Sequence, residues 1–314
     1  MKKYLLKLYD ICLSIIMFFS NWAYIKYRKR GPKELPFTTK FLKKKGIFPI
    51  TNHYYDPKFN FTENDKNIYI ERNLASIKFE EMKQIKFLEN FVYTKELEEL
   101  NIKNGSTNYN FKLKNGSFEE GDSEIYYQMI RYLKPKKIIE VGSGHSTLIG
   151  LEAINKNLKE KIDSKLLCIE PFENKWLDNL DIEIIRKPLE KTNIKWDEVL
   201  NKDDIFFLDS SHIIRPDGDV LKFYLEILPK LKTGVIVHIH DIFTPKNYLK
   251  EWTFDHVRLW NEQYLLEGIL SNSNRYEILL SLNLLKNKYF SNLKKACPFI
   301  GDEHEPGSIY LRVL

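Results

Sequence analysis

The sequence predicts a doubly wound α/β fold with a mostly parallel sheet of seven strands, and three observations carry that prediction. From residue 121 onward, short β-branched and aromatic runs alternate with segments of helical apolar spacing, the pattern of right-handed βαβ crossovers. The first run, 136–141, breaks at Gly142-Ser143-Gly144, and helix-compatible residues resume over 146–158. The last two runs, 276–280 and 308–312, have no convincing helix between them, which predicts an antiparallel pair at the sheet edge.

Taken in order, the chain begins with an arm, residues 1–46. Residues 4–25 are largely apolar, interrupted chiefly by Lys7, Asp10, Ser14 and Asn21 at roughly helical spacing. Lys26, Arg28, Lys29 and Arg30 follow at once. No small-residue cleavage site follows the run, which argues against a signal peptide, and a membrane-crossing helix would bury Asp10. The expected placement is therefore an interfacial helix over residues 4–30, with its basic flank on an anionic membrane face. The alternative is a helix packed on the domain or on another subunit. The arm holds twelve Lys/Arg against two acids, so the net charge of +6 conceals a body of −4. A mildly acidic body argues against a broad nucleic-acid surface. Cys12, Cys168 and Cys297 lack metal-site spacing, which predicts neither a disulfide framework nor a zinc knuckle and suits a reducing, cytoplasmic setting.

Residues 47–115 read as a small helical cap. An aromatic loop, His53-Tyr54-Tyr55-Asp56-Pro57, precedes apolar residues at helical spacing (Met82, Ile85, Phe87, Leu88, Phe91) and is placed to line a substrate mouth. Asn104-Gly105 and Asn115-Gly116 mark turns, and the sequons at Asn60, Asn104 and Asn115 are read as chance. The sheet domain is expected over 116–314. Asp122 and Glu124 open a helix that Pro135 stops. Strands follow at 136–141, 166–170, 182–185, 205–209 and 234–240. A helix carrying Val220, Tyr224, Ile227 and Leu228 precedes the fifth strand, and another is expected near 256–270.

Glycine lets the backbone of the turn approach a ligand, and the helix start behind it offers free N–H groups. Glu140 stands two residues before the first glycine, and Thr147 replaces the third glycine of a dinucleotide fingerprint. An acid aimed into the turn would repel a pyrophosphate and suit a cation. Ligands of such sheets bind beyond the carboxyl ends of the strands. There Glu140, Glu170, Asp209 and the His240-Asp241 pair close strands one, two, four and five. His238 and His240 share one face of strand five, so one of them is expected to be a buried, hydrogen-bonded histidine.

The segments Glu140-Val141-Gly142-Ser143-Gly144-His145-Ser146-Thr147, Ile169-Glu170-Pro171, Phe207-Leu208-Asp209-Ser210-Ser211-His212 and His238-Ile239-His240-Asp241 occur in this order. Together they resemble the class I S-adenosylmethionine-dependent methyltransferases, specifically the bacterial small-molecule and glycan O-methyltransferases of the methyltransferase domain 24 group. Trp260-Asn261-Glu262-Gln263-Tyr264 and the aromatic loop resemble the same group. The resemblance implies a Rossmann-like methyltransferase fold and S-adenosylmethionine as cofactor. It implies that Glu140, Gly142 and Gly144 meet the methionine part, Glu170 the ribose and Asp209 the methyl group, with Ser143, His145, Ser146 and Ser210 also binding the cofactor. Catechol-type relatives hold a divalent ion at positions matching Asp209 and Asp241, with His240 where they usually have a carboxylate. Oxygen ligands suit Mg²⁺, and an imidazole shifts the choice toward Mn²⁺ or no metal. His212, on a loop above the cofactor, and His240 are the candidate bases, His212 being preferred, with Asp209 and Asp241 completing the catalytic set. The expected reaction is O-methylation of a sugar, glycan or other small hydroxyl acceptor. N-methylation of protein or nucleic acid, and a non-catalytic scaffold tethered by the arm, are the alternatives.

Overall fold

The computed structural model describes residues 2–50, 57, 69–100, 102–103, 105, 107–172 and 174–314. The aromatic positions His53, Tyr54, Tyr55 and Asp56, and the sequons at Asn60 and Asn104, lie outside the described residues. The chain forms two compact units, Met1–Asp65 and Lys66–Leu314.

In the first unit, α1 (Lys2–Arg30) is longer than the apolar run, and the basic residues Arg28, Lys29 and Arg30 form its last turn. Cations there complement the negative end of the helix dipole. A second helix, α2 (Pro36–Lys45), starts on a proline and stops at Gly46 in the left-handed conformation (φ 68°). The Tyr27 hydroxyl meets Thr39 Oγ1 at 3.0 Å and so joins the two helices. Apolar side chains around α1, among them Leu5, Ile16, Phe18, Phe19 and Trp22, are exposed.

The second unit holds seven strands: β1 (Lys137–Val141), β2 (Lys165–Ile169), β3 (Glu183–Ile185), β4 (Ile205–Leu208), β5 (Ile236–Ile239), β6 (Tyr276–Ser281) and β7 (Ile309–Val313). Their order is β3-β2-β1-β4-β5-β7-β6. The first five run parallel, and β7 lies antiparallel between β5 and β6. Alternate residues of each strand feed two separate cores, as the pleat requires. Ile138, Ile205, Phe207 and Ile236 join one core, whereas Ile139, Val141, Phe206, Leu208, Val237 and Ile239 join the other. The helices α5 (Asp122–Leu133) and α6 (His145–Lys159) cover the first face. Near them are α3 (Glu81–Leu88) and α4 (Thr94–Glu99). The other face is covered by α7 (Asp219–Lys222), which runs into a π turn at Phe223–Ile227, and by α8 (Glu262–Asn272).

Two expectations are corrected here. Between β6 and β7 the chain forms α9 (Leu282–Lys288) and α10 (Phe290–Ala296), where no helix was expected. Their buried residues Leu282, Leu285, Leu293 and Ala296 have helical spacing, but Tyr289 at φ −135° interrupts it, leaving two seven-residue pieces. The helix expected near 256–270 begins only at Glu262, after a π turn at Glu251–Asp255.

Candidate active site

The β1–α6 turn is built by a close backbone crossing. Gly142 has φ 81°, and a Cβ on it would stand 1.5 Å from the Asp209 carbonyl oxygen. Its N–H donates to the Ile169 carbonyl at 3.1 Å, and the Asp209 N–H donates to the Val141 carbonyl at 2.9 Å. Glycine is thus required by the seam between β1, β2 and β4, ahead of any ligand. Gly144 caps α6, and the Thr147 hydroxyl accepts from its N–H at 3.1 Å. Asn174 reaches over this turn and donates to the Ser143 carbonyl at 2.8 Å.

A cavity of about 580 Å³ opens beyond the ends of β1, β2 and β4. Gly142, Ser143, Gly144, His145, Ser146, Glu170, Asp209 and Ser210 all line it. Its further walls include Phe118, Phe172, Asn174, Leu189 and Glu190, none of which the motifs marked. Glu170, Glu190, Asp209 and Asp219 stand there with Arg215, a balance that favours a cationic ligand.

Glu140 is absent from that wall. Its carboxyl is fully buried and accepts from the hydroxyls of Ser146 and Thr147, at 3.1 Å in the latter case. Both bonds go to Oε1 at the base of α6, and Oε2 is buried without a hydrogen-bond partner. Burial pushes its pKa up to about 8 against the pull of those two hydrogen bonds.

Asp209 links the cavity to a second group of side chains. His212 Nε2 lies 3.2 Å from Asp209 Oδ1 and 3.3 Å from Asp241 Oδ2, and its Nδ1 meets Glu262 Oε2 at 2.8 Å. His240 Nδ1 lies 3.4 Å from Asp209 Oδ2 and 3.5 Å from Asp241 Oδ1, while its Nε2 is 3.5 Å from Asp122 Oδ2. Asp122 is itself held by the Gly307 N–H at 3.0 Å. His212 and Asp241 adopt φ 57° and φ 59°, a left-handed conformation that His and Asp enter more readily than most non-glycine residues.

His212 does not sit on an open loop. It is 4% exposed, and Glu262 and Trp260, whose ring centroid is 4.3 Å away, fix its ring. Burial would lower its pKa, but Asp209, Glu262 and Asp241 outweigh it and raise the imidazole to about 10. With those acids beside it, the imidazolium form of His212 is favoured. The same acids push His240 well above the ordinary range. For Asp209, burial acts upward, but the neighbouring His240 and His212 charges hold the carboxyl low. His238 is the buried histidine of the strand-five pair. It stacks between Phe207 and Tyr310, with ring centroids 4.1 Å away on each side, and meets Ser308 Oγ at 2.8 Å.

Asp122 and Glu262 escaped the sequence reading as site residues. Asp122 looked like a helix-opening acid, and Glu262 carried no role beyond its motif; their meeting with the imidazoles is purely tertiary.

Residues 139–242 match the family model of a methyltransferase domain. A protein of Archaeoglobus fulgidus described as uncharacterized is 28% identical over 173 residues, covering 51% of this chain and 76% of that one. Among solved structures, an O-methyltransferase from Bacillus cereus in complex with SAH aligns over 73% of this chain and 91% of its own. Its identity is 12% and its TM-score 0.38. TomG from Streptomyces achromogenes, an O-methyltransferase involved in tomaymycin synthesis and solved with SAM, aligns over 72% and 89%, at 13% identity and a TM-score of 0.39. The family match spans the glycine turn and every strand-end residue described above. The match likens this stretch of the sheet to a methyltransferase domain.

Proposed function

We propose that this protein transfers the methyl group of S-adenosylmethionine to a hydroxyl of a small-molecule or glycan acceptor. The observation that carries the reading is the double position of Asp209, which lines the cofactor cavity and also stands within the His212–His240–Asp241 cluster. A sulfonium in the cavity would present its methyl group toward the cluster, where the acceptor oxygen is held and His212 or His240, in its neutral form, takes the proton that oxygen releases. Glu170, at the end of β2, serves the ribose hydroxyls, and the anionic wall suits the sulfonium.

The cluster also fits a divalent ion. Asp209, His240 and Asp241 offer three ligand atoms within 4.8 Å of one another. His240 Nδ1 is buried without a hydrogen-bond partner. Bound there, an ion would act as a Lewis acid on the acceptor hydroxyl. We further propose that α1 rests on the inner face of an anionic membrane, leaving the sheet domain in the cytoplasm.

The reading is tested by calorimetry with S-adenosylhomocysteine and by methyl transfer from labelled cofactor into fractionated extract. Glu170→Ala should weaken binding by about 1–3 kcal/mol, the usual loss for a charged hydrogen-bond acceptor. Asp209→Asn and Asp241→Asn should lose turnover far more than cofactor affinity. No binding by the wild-type protein, or full turnover in both Asn variants, would refute the assignment.

A further inference from the structure

We infer that Arg258 recognises the acceptor, and that the methylated molecule carries an anionic oxygen group, a carboxylate or a phosphate, for it to bind. That the anion belongs to an acceptor rests on the methyltransferase reading; that the site takes an anion rests on one side chain. Among the described residues from 66 onward, Arg72, Arg131, Arg186, Arg215 and Arg312 meet carboxylates, and Arg275 meets the Leu231 carbonyl. The half-buried Arg258 side chain has no oxygen partner among them. Its guanidinium carbon lies 4.5 Å from the ring centroid of Trp252 and 4.4 Å from that of Trp260, in the corner of two indoles inclined at 75°. Cation–π contacts fix a guanidinium without consuming an oxygen acceptor. Its planar fork therefore stays free for two parallel hydrogen bonds to a carboxylate or phosphate.

The surrounding chain holds that side chain in place. Val257 adopts φ 53°, a left-handed conformation that is a genuine outlier for a β-branched residue. The Arg258 N–H then donates back to the Trp252 carbonyl at 2.8 Å. Phe243 packs edge-on against Trp252, with ring centroids 5.2 Å apart, and Tyr248 against Trp260 at 6.1 Å. The same segment reaches the candidate centre. The Trp260 ring stands 4.3 Å from the His212 imidazole, and the N–H groups of Asn261 and Glu262 both donate to the His212 carbonyl, at 3.0 and 3.2 Å. Arg258 is thus two ring contacts from the cluster that would hold the acceptor oxygen. The acidic wall of the cofactor cavity would repel an anionic group, whereas a fixed cation without a carboxylate of its own would receive it.

The test uses the full chain, whose indole fluorescence reports on the Trp252–Trp260 corner, titrated with glucuronate, inorganic phosphate and glucose. At least one of the two anions should give a saturable change that weakens as salt is raised, and glucose should give none at the same concentrations. A response to glucuronate alone identifies a carboxylate, and one to inorganic phosphate alone a phosphate. Arg258→Gln should weaken binding by about tenfold or more, and Arg258→Lys by less, since lysine keeps the charge and loses the fork. Circular dichroism checks that both variants are folded. When labelled methyl groups are transferred into fractionated extract, the product should be retained by an anion exchanger, and Arg258→Gln should raise KM far more than it lowers kcat. No response to either anion, glucose binding as tightly as both, a neutral labelled product, or folded Arg258→Gln with wild-type affinity would overturn the inference. S-adenosylhomocysteine calorimetry on the same wild-type sample reports separately on the methyltransferase reading. Anion binding that Arg258→Gln abolishes, without cofactor binding, would uphold the anion site and reject that reading.

Discussion

A side chain at Gly142 has nowhere to go, since its Cβ would stand 1.5 Å from the Asp209 carbonyl oxygen and its φ is 81°. Gly142→Ala should cost at least ~3 kcal/mol and depress cofactor binding by breaking the β1–β4 seam. At Gly144 the nearest obstacle to a Cβ is the amide nitrogen of Asn174 at 3.2 Å, the end of a side chain that can shift. Gly144→Ala should cost about 1 kcal/mol, and urea unfolding of the two variants would separate the cases. Glu140 supplies a pH signature. Its folded pKa of about 8 lies above the ordinary 4.5, so the folded state keeps a proton that the unfolded chain has released. The contribution of Glu140 to stability should be fullest below pH 4.5 and be lost as pH climbs through about 8, by roughly 1.4 kcal/mol per unit of pKa difference at most. Glu140→Gln keeps an acceptor for Ser146 and Thr147 and should flatten that slope. An unchanged slope in urea titrations across this window would mean that Glu140 is already ionised.

At the scale of elements, one buried cation ties three helices. Arg131 on α5 is 1% exposed; it meets Glu96 of α4 through Nε at 2.8 Å, and also Glu160 and Asn157 at the end of α6. Arg131→Met should cost about 3 kcal/mol by leaving those acids without their cation, measurable as a lower midpoint in chemical unfolding. The strands were readable because β-branched residues in short runs between turn formers suit a sheet covered on both faces. Runs such as Ile205-Phe206-Phe207-Leu208 admit little else. The α9–α10 pair was not readable, since Tyr289 divides its spacing into two pieces too short to register as helices. Strand ends also made most of the cavity legible, for Glu170, Asp209 and the glycine turn lie where a parallel sheet presents its ligands. The hydrogen bonds of Glu140 to Ser146 and Thr147, a turn further along, are what the strand-end position did not reveal. The pairing of Asp122 with His240, and of Glu262 with His212, joins residues 118 and 50 positions apart, a relation no local pattern encodes.

For the whole molecule, the question is what the first unit adds to the second. Both hydrophobic cores draw their members from residue 74 onward, so the sheet domain contains its own stabilising interior among the described residues. A chain starting at Lys66 should therefore fold and melt cooperatively. Residues 3–30 form a helix long and apolar enough to cross a membrane, with no part of its most apolar window buried. Asp10 and Lys7 within it favour an orientation along the interface, where both can reach water. Binding to anionic liposomes should then have two components. The exposed Leu, Ile, Phe and Trp side chains supply one that resists salt. Lys26, Arg28, Lys29 and Arg30 supply the other, about 1 kcal/mol each near an anionic surface and screened as ionic strength rises. Cosedimentation of the full chain should fall only partly at high salt, and replacing the four basic residues with Gln should matter chiefly at low salt. The chain starting at Lys66 should stay in the supernatant throughout. Alkaline carbonate distinguishes the two orientations, since an interfacial helix is released and a spanning one is retained. If the full chain ignores anionic liposomes and the shortened one aggregates, α1 instead belongs to a protein interface.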